Sequence, residues 1–170
     1  MQPTDLGLLI LRLVVGVTFA GHGAQKAFGW WNGPGLAGWR GAITRMGFQP
    51  VELFVALSIG AELVGGSLLA LGLFTPLAAA ILVGQLVVII SKAHLPKGFW
   101  NTNGGYEYPL ALTACVIAIT FIGAGTVSLD HALGLAFSDS LRAGCLLVGL
   151  IGGLVALGAS RAAQPRAVHA

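Results

Sequence analysis

Five apolar stretches, each close to the length of a bilayer crossing, alternate along the chain with short polar or glycine-rich connections. The first, Leu6 to Trp30, exceeds the roughly 20 residues that span a hydrocarbon core at about 1.5 Å each. Arg12, His22, Gln25 and Lys26 interrupt it. At about 100° per residue, Arg12, Gly16, Phe19, His22, Gly23 and Lys26 fall on one face. That stripe is small and polar, while Leu, Val and Ile dominate the rest. A charge near the bilayer centre costs roughly 2.5–3.5 kcal/mol, so the stripe must face other helices or a water-filled cavity.

The pattern changes over residues 30–50, where Trp30, Trp31 and Trp39 suit a membrane interface and Asn32-Gly33-Pro34-Gly35 is turn chemistry. Leu36 to Phe48 mixes small, apolar and basic residues, which fits a short interfacial helix or a polar loop equally well. A second span is expected from Pro50 to Gly72, with Glu62 near its middle and Ser58, Gly65 and Gly66 on the same face. The short turn Gly72 to Pro76 makes the second and third spans an antiparallel hairpin. The third runs from Pro76 to His94, with Ala78, Gln85 and Lys92 on one face. A loop rich in Asn and Gly leads into a fourth span, Tyr106 to Gly123. After a polar connection through Asp130, His131 and Asp139, a fifth span is expected over Leu141 to Ala159. There Gly149 and Gly153 have the spacing of a close helix contact. The expected organisation is a four-helix core over residues 1–123 with an interfacial segment at 30–49, a fifth transmembrane helix within 124–159, and a disordered tail over 160–170.

Composition strengthens the membrane reading. The chain is 56% hydrophobic and 9% charged, with a mean hydropathy of +0.86. A soluble domain carries about 25% charged residues. The net charge of +3 is spread over single basic residues, which excludes a nucleic-acid surface. Cys115 and Cys145 stand alone, with no spacing suited to a disulfide relay or a metal site. The start, MQPTDLG, lacks a basic n-region, so the first helix is expected to stay as an anchor. With five spans, Lys26, Arg40, Arg45, Lys92, Lys97, Arg161 and Arg166 share one side, seven of nine basic residues. The positive-inside rule places that side in the cytoplasm and the N-terminus outside.

Three segments carry a resemblance: HGAQKAFG at 22–29, ELVGGSLLALGLFTP at 62–76 and GGYEYPL at 104–110. In this order and spacing, over roughly residues 6–123, the chain resembles the DoxX family of small bacterial membrane proteins. The resemblance implies an all-α four-helix membrane core in the inner membrane, which the fifth segment extends. It also implies a role near quinone-coupled oxidation of reduced sulfur compounds, or in a membrane oxidoreductase complex with soluble partners. Distant relatives act as membrane chaperones or cargo receptors.

Among residues able to carry chemistry, Glu62 is the foremost. Its depth lies between those of Arg12 and His22 on the antiparallel first helix, so either can pair with it. A pair with Arg12 would be static, and one with His22 would pass protons. Equally, these residues can do no more than fix helix packing. His22 and Lys26 suit a quinone carbonyl or an anionic headgroup, or else Lys26 simply snorkels to the interface. Gln85 can hydrogen-bond a ligand or bridge two helices. Glu107 favours the first turn of its helix, or faces Lys92 or Lys97. No catalytic triad, phosphate loop or haem-ligating His pair is present in the sequence, so catalysis by the chain alone is not expected. The leading expectation is a membrane subunit of an oxidoreductase system that docks a redox partner or helps site a quinone at Arg12, His22, Lys26 and Glu62. The alternatives are a non-catalytic assembly subunit that binds other membrane proteins or a second copy through Gly-rich faces, and a small transporter.

Overall fold

A computed structural model describes residues 2–162 and is all-helical over them. Helix α1 spans Pro3–Phe28. Its start is a capping box, in which Asp5 accepts the Gln2 backbone N–H at 3.0 Å, and Pro3 occupies the first turn. Gly29, at φ 72°, ends it with an N–H donated to Gln25 O. Helix α2 (Gly35–Arg45) makes the uncertain segment helical. Helix α3 (Val51–Leu71) contains a π turn over Ala61–Gly65. Helix α4 (Thr75–Lys97) loosens into a second π turn at Ile90–His94. Helix α5 (Glu107–Ile122), the short α6 (Leu129–Ala132) and α7 (Asp139–Ala162) complete the chain.

Among the described residues four helices, α1, α3, α4 and α7, are long and apolar enough to cross a membrane. The expected fourth span, α5, has 16 residues, or about 24 Å of helix, and is the shortest of the five. Helix α7 continues through Ala162, past the expected end of the fifth span, and the remainder of the expected tail lies outside the described residues.

Two close helix crossings hold the bundle. In lipid, helices associate through packing and hydrogen bonds rather than hydrophobic burial, so small residues that let backbones approach matter most. At the first crossing, Gly16 of α1 lies against Gly66 and Ala70 of α3. A Cβ at Gly16 would sit 2.5 Å from Ala70 N. At the second, Gly149 and Gly153 of α7 lie against Ala80 and Gly84 of α4, and a Cβ at Gly153 would be 2.7 Å from Gly84 O. The expected Gly149/Gly153 contact is therefore made within the chain, and it docks the fifth helix on the third. Val15, Phe19, Leu69, Leu82, Val116 and Ile119 fill the space among α1, α3, α4 and α5.

Arg12 fastens the end of the bundle where α3 turns into α4. It is 1% exposed, and its guanidinium donates to Ala70 O at 3.0 Å and to Val127 O. These carbonyls belong to the end of α3 and the loop after α5, which have no helical donors to offer. Asp130 completes the knot by accepting the N–H groups of Phe74 and Thr75 at 2.6 and 3.0 Å, so it caps α4 from the short helix α6. Arg12→Met should lower the thermal midpoint in detergent, because each buried carbonyl left dry costs about 1–3 kcal/mol. Arg12→Lys should rescue little, since one ammonium lacks the planar fork that reaches both oxygens. An unchanged melt for Arg12→Met would mean that the carbonyls find other donors.

Candidate functional site

The opposite half of the bundle holds the second polar group of residues. Gly23 of α1 lies directly on the π turn of α3, where a Cβ would come within 2.8 Å of Leu63 N. This contact sets Glu62 beside the last turns of α1. Glu62 is 1% exposed, and Lys26 Nζ reaches its Oε1 at 2.5 Å. A π turn inserts an extra residue into the helical repeat and re-aims the side chain there, a feature common at functional positions.

Around this pair the remaining partners come from three helices. Gln85 of α4 donates through Nε2 to Glu62 Oε1 at 3.1 Å and to Ser58 Oγ at 2.9 Å. Lys26 Nζ also lies 3.5 Å from Ser58 Oγ. From α2, the Trp39 ring covers the ammonium at 4.1 Å, a cation–π contact in a desolvated setting. The neighbouring Arg40 pins α2 to the start of α3 through a two-point contact with Glu52, at 2.5 and 3.0 Å. Glu62 Oε2 is buried with no partner among the described residues.

The structure thus brings together Lys26, Glu62 and Gln85, and leaves the other candidates apart. Arg12 lies 14 residues from Lys26 along α1, about 21 Å away, and pairs with backbone instead of Glu62. His22 is exposed and has its Nδ1 3.2 Å from Gln25 Oε1, so it is not the partner of Glu62. Neither expected pair forms, because the Gly23 crossing carries Glu62 past the depth read from helix lengths alone. Lys26 turns inward rather than snorkelling. Glu107 accepts the Asn101 backbone N–H at 2.9 Å and makes no ion pair with Lys92 or Lys97 among the described residues. Lys92 donates to Met46 O at 3.1 Å. In the sequence Ser58 shares the face of Glu62 without a legible role, and Trp39 suits only an interface. The i, i+4 spacing of Ser58 and Glu62 was the available signal for the first.

A cavity of about 370 Å³ lies beside this network, walled by α2, α3, α4 and α7. That volume falls within the roughly 300–1,000 Å³ of small-molecule sites. Its lining runs along α4 from Leu77 to Ile89, about 18 Å, and is apolar apart from Ser58, Gln85 and the Trp39 indole, whose buried Nε1 has no partner among the described residues. Gly149, Gly152 and Gly153 leave the α7 wall without side chains. A more polar cleft of about 470 Å³ lies at the Arg12 end, near Asp5, Asp130, His131 and Arg142. Both of its carboxylates already hold backbone N–H groups.

The DoxX family model matches residues 7–95, more than half of the chain. The chain belongs to the DoxX family. Among DoxX relatives, a Bacillus subtilis protein described as "Putative oxidoreductase CatD" is 31% identical over 127 residues, covering 74% of this chain and 86% of that protein. An uncharacterised membrane protein of Mycobacterium tuberculosis is 31% identical over 136 residues, covering 74% of this chain and 80% of its own length. An uncharacterised Haemophilus influenzae protein is 29% identical over 132 residues, 75% of this chain and 83% of its own. No solved structure matches the chain. The DoxX match includes Lys26, Ser58, Glu62 and Gln85, and it ends before the α7 wall of the cavity.

Proposed function

We propose that this DoxX protein is an integral membrane subunit of an oxidoreductase system that sites a quinone beside the Lys26–Glu62 network, or docks a redox partner against it. The observation that carries the reading is a buried ion pair in an apolar bundle, linked through Gln85 and Ser58 to a cavity of small-molecule size. Ionisable residues inside a membrane bundle mark functional sites by default, because replacing a buried pair with apolar side chains is often neutral or stabilising. The oxidoreductase description of one relative points the same way. A quinone–quinol couple would supply the electron-transfer chemistry, and the chain would bind and orient its ring. The bias of Lys and Arg supports a bacterial inner-membrane location with the Lys26 end towards the cytoplasm and the N-terminus outside.

Native mass spectrometry of the protein extracted gently from its own membrane tests this reading. A quinone-sized mass should be retained, and Glu62→Gln should lose it while leaving folded protein, because the long Lys26 side chain can then swing towards the interface. Stoichiometric protein subunits without any small ligand would overturn quinone siting in favour of a non-catalytic assembly subunit. That alternative has less surface than the sequence suggests, since Gly16, Gly66, Gly149 and Gly153 are all packed within the chain.

A further inference from the structure

The hydrogen-bond directions in the network fix what the cavity offers a ligand. Glu62 Oε1 accepts from Lys26 Nζ, so the Gln85 atom beside it must be the donating nitrogen. Both Nε2 protons are then engaged, one on Glu62 and one on Ser58. The Gln85 carbonyl oxygen accepts from no group among the described residues, and it is not sealed in the interior. Ser58 Oγ accepts from Gln85 and Lys26, and its own proton goes to no acceptor among the described residues. Both residues line the cavity, and the hydrogen-bonding capacity left to them is one acceptor, Gln85 Oε1, and one donor, the Ser58 hydroxyl.

We infer that the cavity is selective for a lipid-soluble phenol or quinol over the corresponding quinone or ether. A ring hydroxyl satisfies both groups at once, since it donates to Gln85 Oε1 and accepts from Ser58. A quinone carbonyl only accepts, so it answers Ser58 and leaves Gln85 Oε1 dry in an apolar site. A site built around a ligand hydroxyl rejects the analogue that lacks it, because its own polar group is then left unpaired. Lys26 and Glu62 act here as positioning residues: the ion pair sets the amide, and the amide reads the ring. The glycine wall of α7 lets a flat ring lie close to backbone. This inference rests on the cavity taking a quinone-type ring, and it adds the preferred redox state.

The probes are para-decylphenol and para-decylanisole, which differ only in a methyl group on the oxygen and undergo no redox change. Binding is measured by titration of the purified full chain in detergent. The phenol should bind one to one and about tenfold more tightly than the anisole. Gln85→Leu should erase that ratio. Gly152→Leu should abolish binding of both probes at an unchanged melting temperature, because its Cβ meets nothing within 4 Å while its side chain enters the cavity. Equal affinity for the two probes, or undiminished phenol binding in a folded Gly152→Leu protein, would overturn the inference. Loss of native quinone in Glu62→Gln with equal probe affinities would keep the proposed function and discard the selectivity. Phenol selectivity in a protein extracted without quinone, and bearing only protein subunits, would do the reverse.

Discussion

Lys26→Met should destabilise the folded protein by about 3–5 kcal/mol, the usual consequence of leaving one member of a buried ion pair alone. Glu62, with a side chain 2% exposed, has no route to water, and its Oε2 already lacks a partner. The carboxylate must either stay charged in an apolar setting or take up a proton, and both raise the energy of the folded state. The asymmetry with Glu62→Gln is part of the expectation. Lys26 lies near the end of α1 with a side chain 11% exposed, so its ammonium has an escape that the carboxylate lacks. The double variant Lys26→Met/Glu62→Met should regain most of the loss, because neither desolvated charge then remains. Denaturant titrations of the parent, Lys26→Met, Glu62→Met and the double variant in one detergent give the cycle. A Lys26→Met protein as stable as the parent would mean that the ion pair is not formed in the folded state.

Gly66→Leu should abolish folding altogether. A Cβ there would stand 2.6 Å from Ala20 N and 2.7 Å from Gly16 O, both backbone atoms that no rotamer change can clear. Helices α1 and α3 would have to separate, which exceeds the ~1–3 kcal/mol that overpacking of flexible side chains usually costs. Separation would also pull the π turn away from Gly23 and break the reach of Lys26. Gly60→Ala, on the same helix with nothing within 4 Å of its Cβ, provides the control and should hold or gain up to about 1 kcal/mol through helix propensity. Yield of monodisperse protein after size exclusion reads both. Recovery of well-folded Gly66→Leu would mean that the crossing is looser than its geometry requires.

The bundle was legible in the sequence because membrane helices announce themselves by length and composition, and the stripe on α1 announced its own inward face. Arg12, Gly16, Phe19, Gly23 and Lys26 are all buried. His22 is the exception, and it shows the limit of helical-wheel reasoning, since it sits at the stripe's margin and turns outward. Pairing across helices depended on register, which the sequence does not carry. A π turn adds a residue to the repeat, and a Gly-backbone contact slides one helix along another. Together they moved the partner of Glu62 from the middle of α1 to Lys26. Gln85 and Ser58 were on the right faces, yet the direction of their hydrogen bonds appeared only once the carboxylate was placed. The capping role of Asp130 joins residues 56 apart along the chain and had no local signature.

The α7 wall of the cavity also imposes an order on biosynthesis. Gly149 and Gly152 leave the ribosome more than sixty residues after Gln85, several seconds later at about 5–20 residues per second. Until then α4 presents an open face to lipid, and the ring-binding space has only part of its perimeter. Whatever occupies that space recognises a finished bundle, and at a hundredfold excess over its dissociation constant it would add about 2.7 kcal/mol to its persistence. Occupancy would then separate completed chains from those still missing their last helix.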